Sequence, residues 1–345
     1  MKKYFICLAA LFLCFTLCGC SVLGEKTKDD RNFMVSAIGF ETDGALISVS
    51  VEAIIINSEL AESAPVPEVL TATGITISEA LDSIGSSLAK PMILNHCGVI
   101  VIGERMTKNW FDKICDYCFY ENRITLSAYM ISAESPAELL SGEPESSVAV
   151  GYDIMGIIEQ QSTRTGISYN SRYFEVEGLR EKGKKVFSLP HFIRNDGGIS
   201  VDGLAVFKED ALVTQLDNSD AGLYALITGR FNKGTVRFGA NEYHINSRKV
   251  DYGYSDVSGN KILLKLQLSG DSIDGDVCQK LENELESLEY KLKLECGTDV
   301  FGFSDILTDR FSEFREKHAE NYAEFYRTAA FCAECSASGG AKNDG

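Results

Sequence analysis

The sequence predicts an α+β protein of two or three domains, and three observations carry that expectation. Its 345 residues exceed the roughly 100–200 residues of one ordinary domain. Short apolar runs punctuated by Asp-Gly, Gly-Gly and Pro recur along the chain between segments of helical three-and-four spacing. Apolar residues make up 45% and charged residues 24%, with six prolines, which is the composition of a folded rather than a disordered chain.

The first residues address the chain outward. Lys2 and Lys3 precede an uncharged, mostly apolar run from Tyr4 to Leu17. That run has signal-peptide length and falls short of the roughly 20 residues that span a bilayer. It ends in Leu17-Cys18-Gly19-Cys20, similar to a bacterial lipobox. Small residues there admit a peptidase to the bond after Gly19, and the Cys20 thiol carries the lipid. Residues 1–19 are thus read as a lipoprotein signal peptide and 20–32, polar and charged, as a lipidated tether. The competing reading is an uncleaved anchor. Two or more acyl chains on Cys20 would hold the body stably at a membrane surface.

The body begins with two β-rich runs, Phe33 to Phe40 and Ala45 to Ile56, around Asp43-Gly44, a hairpin signal. Asn57 to Glu68, with two prolines, reads as a loop. Thr76-Ile77-Ser78-Glu79 is a capping box opening a helix through Leu88, stopped by Pro91. Ile93 to Ile102 reads as one buried strand. A helix at Thr107 to Tyr120 and an alternating strand at Arg123 to Ser132 follow. Ser135-Pro136 then starts a short helix, and Val148 to Gln160 forms another. Gln161 to Arg172 reads as a connection and Tyr173 to Asp196 as a basic, short-stranded stretch. A new region is expected at Asn195-Asp196-Gly197-Gly198, dividing the body into residues 33–196 and 197–345.

In the second region Ile199 to Phe207 and Ala211 to Leu216 form a hairpin, and Gly203 marks a bulge or close backbone approach. Asp220 to Thr228 reads as a helix. Thr235 to Phe238, Glu242 to Ser247 and Ile262 to Leu268 read as strands. Val277 to Leu294 is an amphipathic helix with Leu281, Leu285, Leu288 and Leu292 on one face. Ser304 to Tyr326 reads as a second long helix, and Thr328 to Cys335 as a strand closing the sheet.

Charge and motif content narrow the function. Lys plus Arg number 33 against 50 Asp plus Glu. Without Lys2 and Lys3 the mature chain is net −19, which disfavours nucleic acid as a partner. The chain contains no phosphate-binding glycine loop and no nucleophile elbow. Its four histidines are His96, His191, His244 and His318. His96, in an apolar run, reads as a core or strand-end residue rather than a ligand or base. Seven cysteines remain after the leader and Cys20: Cys97, Cys115, Cys118, Cys278, Cys296, Cys332 and Cys335. An odd number prevents complete intrachain pairing. Two Cys-x-x-Cys pairs invite zinc, but more than 200 residues separate them, and Cys115 and Cys118 read as helical core. Arg180 with Lys182, Lys184 and Lys185 forms a basic patch, either touching anionic lipid or a partner or simply a solvated hairpin. Glu282, Glu284, Glu286 and Glu289 read as a solvated helix face. No catalytic residue, metal ligand or cofactor is assigned.

Several segments together resemble the Ger(x)C family, the lipoprotein C subunits of spore nutrient germinant receptors. They are Val35 to Glu41 after the lipobox, Gly74 to Leu81, Ile93 to Glu104, Ala133 to Leu140, Asp202 to Asp210, and Glu295 to Phe303. The sequence departs from the family at Ser21-Val22, where Trp-Asp is common, and in the last helix, which lacks tryptophan. The resemblance implies three α+β domains, each a mixed or antiparallel sheet with helices packed on it. It implies a non-enzymatic subunit on the outer face of the spore inner membrane. There it would be assembled with two integral membrane subunits, one A-type with a soluble domain and one transporter-like, B-type. The nutrient site is attributed mainly to the transporter-like partner, so no ligand residue is expected here. The alternative is an exported solute-binding or wall-associated lipoprotein.

Overall fold

The computed structural model describes residues 33–55, 67–88, 91–120, 124–145, 147–165, 171–181 and 186–338. The leader, the tether with Cys20, and Lys182, Lys184 and Lys185 lie outside them.

The first two apolar runs form the expected antiparallel hairpin, β1 (Phe33–Thr42) and β2 (Ile47–Ile55). Its turn is held by Asp43 Oδ1, which accepts the N–H groups of Ala45 and Leu46 at 3.0 and 2.9 Å. β3 (Pro67–Gly74) pairs with β2 and starts inside the segment read as a loop. Proline is tolerated there because it is the first residue of an edge strand and breaks no ladder bond. α1 (Ile77–Ser86) begins as expected: Thr76 Oγ1 accepts from Glu79 N–H, and Glu79 Oε2 reaches back to Ile75 N–H at 2.8 Å.

The run at 93–102 is not one strand. It divides into β4 (Met92–Ile93) and β5 (Val99–Gly103) around a turn that exposes Asn95 and His96. α2 (Lys108–Tyr120) follows as read. β6 (Tyr129–Ala133) is shorter than expected, because Ile124 to Ala128 fold as a turn. α3 (Pro136–Leu140) and α4 (Val150–Arg164) come next. The basic stretch from Tyr173 is a helix, α5 (Tyr173–Glu181), and one long strand, β7 (Val186–Asn195). Tyr173 and Val176, three residues apart, bury together in the core, the helical spacing that outweighs the polar composition.

β7 turns directly into β8 (Gly198–Lys208), which pairs with β9 (Ala211–Leu216). The Asn195–Gly198 segment is therefore a hairpin turn. A sheet ordered β3-β2-β1-β5-β6-β7-β8-β9, with β4 beside β1, runs across it. Gly203 makes the close approach read from the sequence: its φ is +83°, and a Cβ there would lie 1.7 Å from the Leu216 carbonyl oxygen.

Alternation along β1, β5 and β6 sorts the apolar side chains into two layers. Ile38, Phe40, Ile100, Ile102 and Met130 pack against α1, α2 and α5. Ala37, Val99, Val101, Tyr129 and Ile131 pack against α3 and α4. A bulge at Ser36 shifts the register between Val35 and Ala37, placing these two on opposite faces.

The remaining elements are α6 (Asn218–Thr228), β10 (Gly234–Phe238), β11 (Asn241–Ile245), β12 (Ser247–Ser255), β13 (Lys261–Ser269) and α7 (Gly275–Cys296). After them come α8 (Phe303–Arg310), α9 (Ser312–His318), α10 (Tyr322–Thr328) and β14 (Ala330–Ala337). β10 and β11 form a hairpin; β12, β13 and β14 form a second sheet, with β14 parallel to β13. The long helix expected at 304–326 is three short ones. Phe311 is extended (φ −123°, ψ 106°), and Asn321 leaves helical conformation before α10. These breaks fold Phe311, Phe314 and Phe325 onto one core instead of along a rod. The α+β class stands, with mixed sheets covered by helices.

Candidate binding groove

The leucine stripe of α7 is buried as read, but its acidic residues are not a solvated face. Glu282 Oε1 accepts the Cys335 N–H at 2.7 Å, and Glu286 Oε1 accepts the Ala333 N–H at 3.0 Å. Both cover the edge of β14 that β13 leaves unpaired, which otherwise offers a template for strand addition. Glu289 is buried, and burial raises its carboxyl above the ordinary value, with Lys293 opposing.

The C-terminal half of α7, α10 and the start of β14 enclose an open groove of about 1030 Å³. Tyr290, Leu294, Ala323 and Phe331 line it, and Tyr290 and Leu294 are 63% and 66% exposed. Its floor is charge-compensated. The Lys293 ammonium donates to the Ala329 carbonyl, stands 4.0 Å from Glu289 Oε1 and lies over the Tyr326 ring at 4.7 Å. A cation so engaged is spent on the protein itself, which leaves an apolar surface able to receive an apolar group.

Next to this floor stands a carboxylate hub. Asp299 Oδ1 accepts from Phe301 and Gly302 N–H at 3.1 and 3.0 Å, and Oδ2 accepts from Ser304 N–H and the Tyr322 hydroxyl at 2.8 and 2.7 Å. One side chain thereby caps α8 and holds α10 to it. The Asp-x-x-Gly segment was legible as a family turn, though its capping role was not. A second hub was not foreseen at all. Glu52, 0% exposed in β2, accepts Val150 and Gly151 N–H at 2.6 and 2.8 Å and the Ser36 hydroxyl at 2.5 Å. It supplies the N-terminal cap that α4 lacks locally, and burial raises its carboxyl above the ordinary value.

Of the basic patch, only Arg180 lies among the described residues. Arg180 donates to Asp210 Oδ1 at 2.9 Å and Glu177 Oε2 at 2.6 Å, and also to Asp112. Burial opposes its charge most strongly of any single influence, but Asp210 and Glu177 together with its other neighbours outweigh it and keep the guanidinium ionised. Asp210 sits in the β8–β9 turn, where Glu209 and Asp210 both adopt positive φ. Arg180 therefore ties α2 and α5 to that turn.

The histidines lie on four separate elements. His96, read as a core or strand-end residue, is exposed in the β4–β5 turn, which removes the core alternative. His244 is on β11 and His318 ends α9. His191 is buried at the seam where β6 and β7 share one backbone pair, Ser132 opposite His191. Cys97, Cys115 and Cys118 are buried; burial pushes the Cys97 thiol up to about 12 and raises the other two as well. Among the described residues no three His, Cys, Asp or Glu side chains are grouped to hold a metal ion. No helix among them is long and apolar enough to cross a membrane.

Comparison with known proteins bears on the whole body. Residues 29–192 match the family described as spore germination protein N-terminal domain. Residues 202–337 match the spore germination B3/GerAC-like C-terminal family. The spore germination protein GerQC of Bacillus cereus is 22% identical over 242 residues, covering 69% of this chain and 64% of that protein. The crystal structure of the GerBC protein superposes with a TM-score of 0.55 at 14% identity, over 88% of this chain and 96% of that one. That likeness bears on the fold.

Proposed function

Because this chain belongs to the spore germination GerAC family, we propose that it is the lipid-anchored C subunit of a germinant receptor. The observation that carries this reading is the pair of family matches, which run in order through nearly all of the folded body. In this reading Cys20 carries the lipid, and the tether holds the body at the outer face of the spore inner membrane. Confinement to that surface raises its effective concentration beside two integral membrane subunits, one A-type and one transporter-like. The role is scaffolding, supported by a body whose buried and half-buried charges, at Glu52, Asp299 and Arg180, are used to fasten elements to one another.

Replacement of Cys20 by Ala tests the anchor. The variant is expected in the soluble fraction of disrupted spores, with nutrient-triggered germination strongly slowed. Normal membrane recovery together with normal germination would refute it. Gentle solubilisation of spore membranes, with the C-terminal tail tagged, is expected to recover two integral membrane proteins with it.

The groove between α7 and α10 favours one other reading, an exported solute-binding lipoprotein. A saturable thermal shift of the purified protein with one small nutrient, and recovery of the lipoprotein alone from membranes, would select it.

A further inference from the structure

Cys278, Glu282 and Glu286 follow one another at four-residue steps on α7 and so share one helix face. That face runs along the unpaired edge of β14. Two members of the row already fasten the strand: Glu286 to the Ala333 N–H and Glu282 to the N–H of Cys335 itself. The third member meets the Cys335 side chain. The two Sγ atoms are 2.9 Å apart, inside the roughly 3.5–4.0 Å of ordinary nonbonded contact between heavy atoms. A disulfide bond of about 2.05 Å requires each sulfur to move by only about half an ångström. The Glu282 hydrogen bond fixes the register of helix and strand and holds the two sulfurs in apposition before closure.

We propose that Cys278 and Cys335 are joined by a disulfide in the mature protein. The oxidant is a disulfide donor, either a thiol–disulfide oxidoreductase or a small-molecule disulfide such as oxidised glutathione. One cysteine loses its proton, and its thiolate attacks a donor sulfur, breaking the donor's S–S bond. A mixed disulfide and one donor thiolate result, and the thiolate takes up a proton. The second cysteine, likewise deprotonated, attacks the protein sulfur of the mixed disulfide and releases the second donor thiol. Two electrons and two protons pass from the cysteines to the donor.

Burial dictates when this happens. Cys278 is 3% exposed, and burial raises the Cys335 thiol well above its ordinary value. In the folded protein the Cys278 sulfur is shielded and the Cys335 thiol is not readily ionised, so the bond forms as α7 and β14 come together. It closes the 57-residue span between the two positions, which includes α8, α9 and α10. The odd cysteine count is no obstacle, since one pair leaves five thiols. The proposal requires an oxidising compartment and does not depend on receptor assembly.

The test is a peptide map of the full chain, purified from membranes in N-ethylmaleimide and digested without reductant. The expected result is a linked pair of peptides carrying Cys278 and Cys335, two hydrogen masses lighter than their sum and separated by reductant. Reductant should also lower the melting temperature of the native protein and leave that of Cys335→Ala unchanged. If Cys335→Ala does not accumulate, Cys278→Ala serves the same comparison. Recovery of both residues as alkylated thiols would overturn the proposal, as would linkage of either to another cysteine such as Cys332.

Discussion

In the N-terminal region the carboxylate that caps α4 comes from Glu52, 98 residues before the first N–H it accepts. In the C-terminal region the carboxylate that caps α8 comes from Asp299, five residues before Ser304, the farthest N–H it accepts. Both are buried acids satisfied by backbone donors and one hydroxyl, Ser36 for Glu52 and Tyr322 for Asp299. They differ in what they hold. Glu52 pins a helix across the central sheet, and its donors Ser36, Val150 and Gly151 are all buried. Asp299 organises a local turn whose donors Gly302, Ser304 and Tyr322 are partly exposed. The same chemical group therefore costs more to lose where water cannot replace it.

The largest expected effect follows from that difference. Glu52→Ala leaves two buried backbone donors, the Val150 and Gly151 N–H groups, without their acceptor, at roughly 1–3 kcal/mol each, while the Ser36 hydroxyl keeps the residue-52 carbonyl at 3.2 Å. A loss of about 4 kcal/mol in urea unfolding is expected. Glu52→Gln should lose less, because an amide oxygen retains one acceptor and no charge is buried. Asp299→Ala is expected to cost about 2 kcal/mol, the upper range for removal of a cap. Its effect should fall mainly on protection of α8 and α10 in hydrogen exchange. If Asp299→Ala proves the more costly of the two, the ranking by burial is wrong and the turn is the more cooperative unit.

A smaller effect concerns the seam between β6 and β7. Burial lowers the His191 imidazole below its ordinary 6.5, against the pull of Glu104, Asp202 and Glu134. Its Nδ1 and the Ser132 Oγ lack hydrogen-bond partners among the described residues. The unfolded chain takes up a proton at about 6.5 while the folded chain does not. Stability from this residue is therefore present above that pH and declines as pH falls through it toward the folded value. The decline amounts to about 1.4 kcal/mol per unit of depression. His191→Gln should flatten it, and an unchanged pH profile would place the acid sensitivity elsewhere.

Much of this contrast follows contact distance along the chain. The Asp43-Gly44 hairpin, the Thr76 capping box and the α7 leucine stripe are set by residues within a few positions of one another. Residue type and spacing alone encode them, and each was legible. The close approach at Gly203 was legible because only glycine tolerates it. Residues 33–338 also carried enough short segments, in order, to identify the family. Where the sequence misled, the deciding partner was remote. Tyr173 to Glu181 became a helix because its apolar side chains meet the core beneath α2. The 304–326 segment broke at Phe311 because three phenylalanines reach one core only from a folded-back chain. Glu282 and Glu286, polar and at helical spacing, looked solvated, since nothing nearby reveals that a strand 47 and 53 residues later lays its N–H groups against them. Glu52 sat unremarked inside an alternating strand for the same reason. Local patterning specifies what a segment can bury, but the satisfaction of a buried charge or an orphan N–H is settled only when distant segments meet and water is expelled.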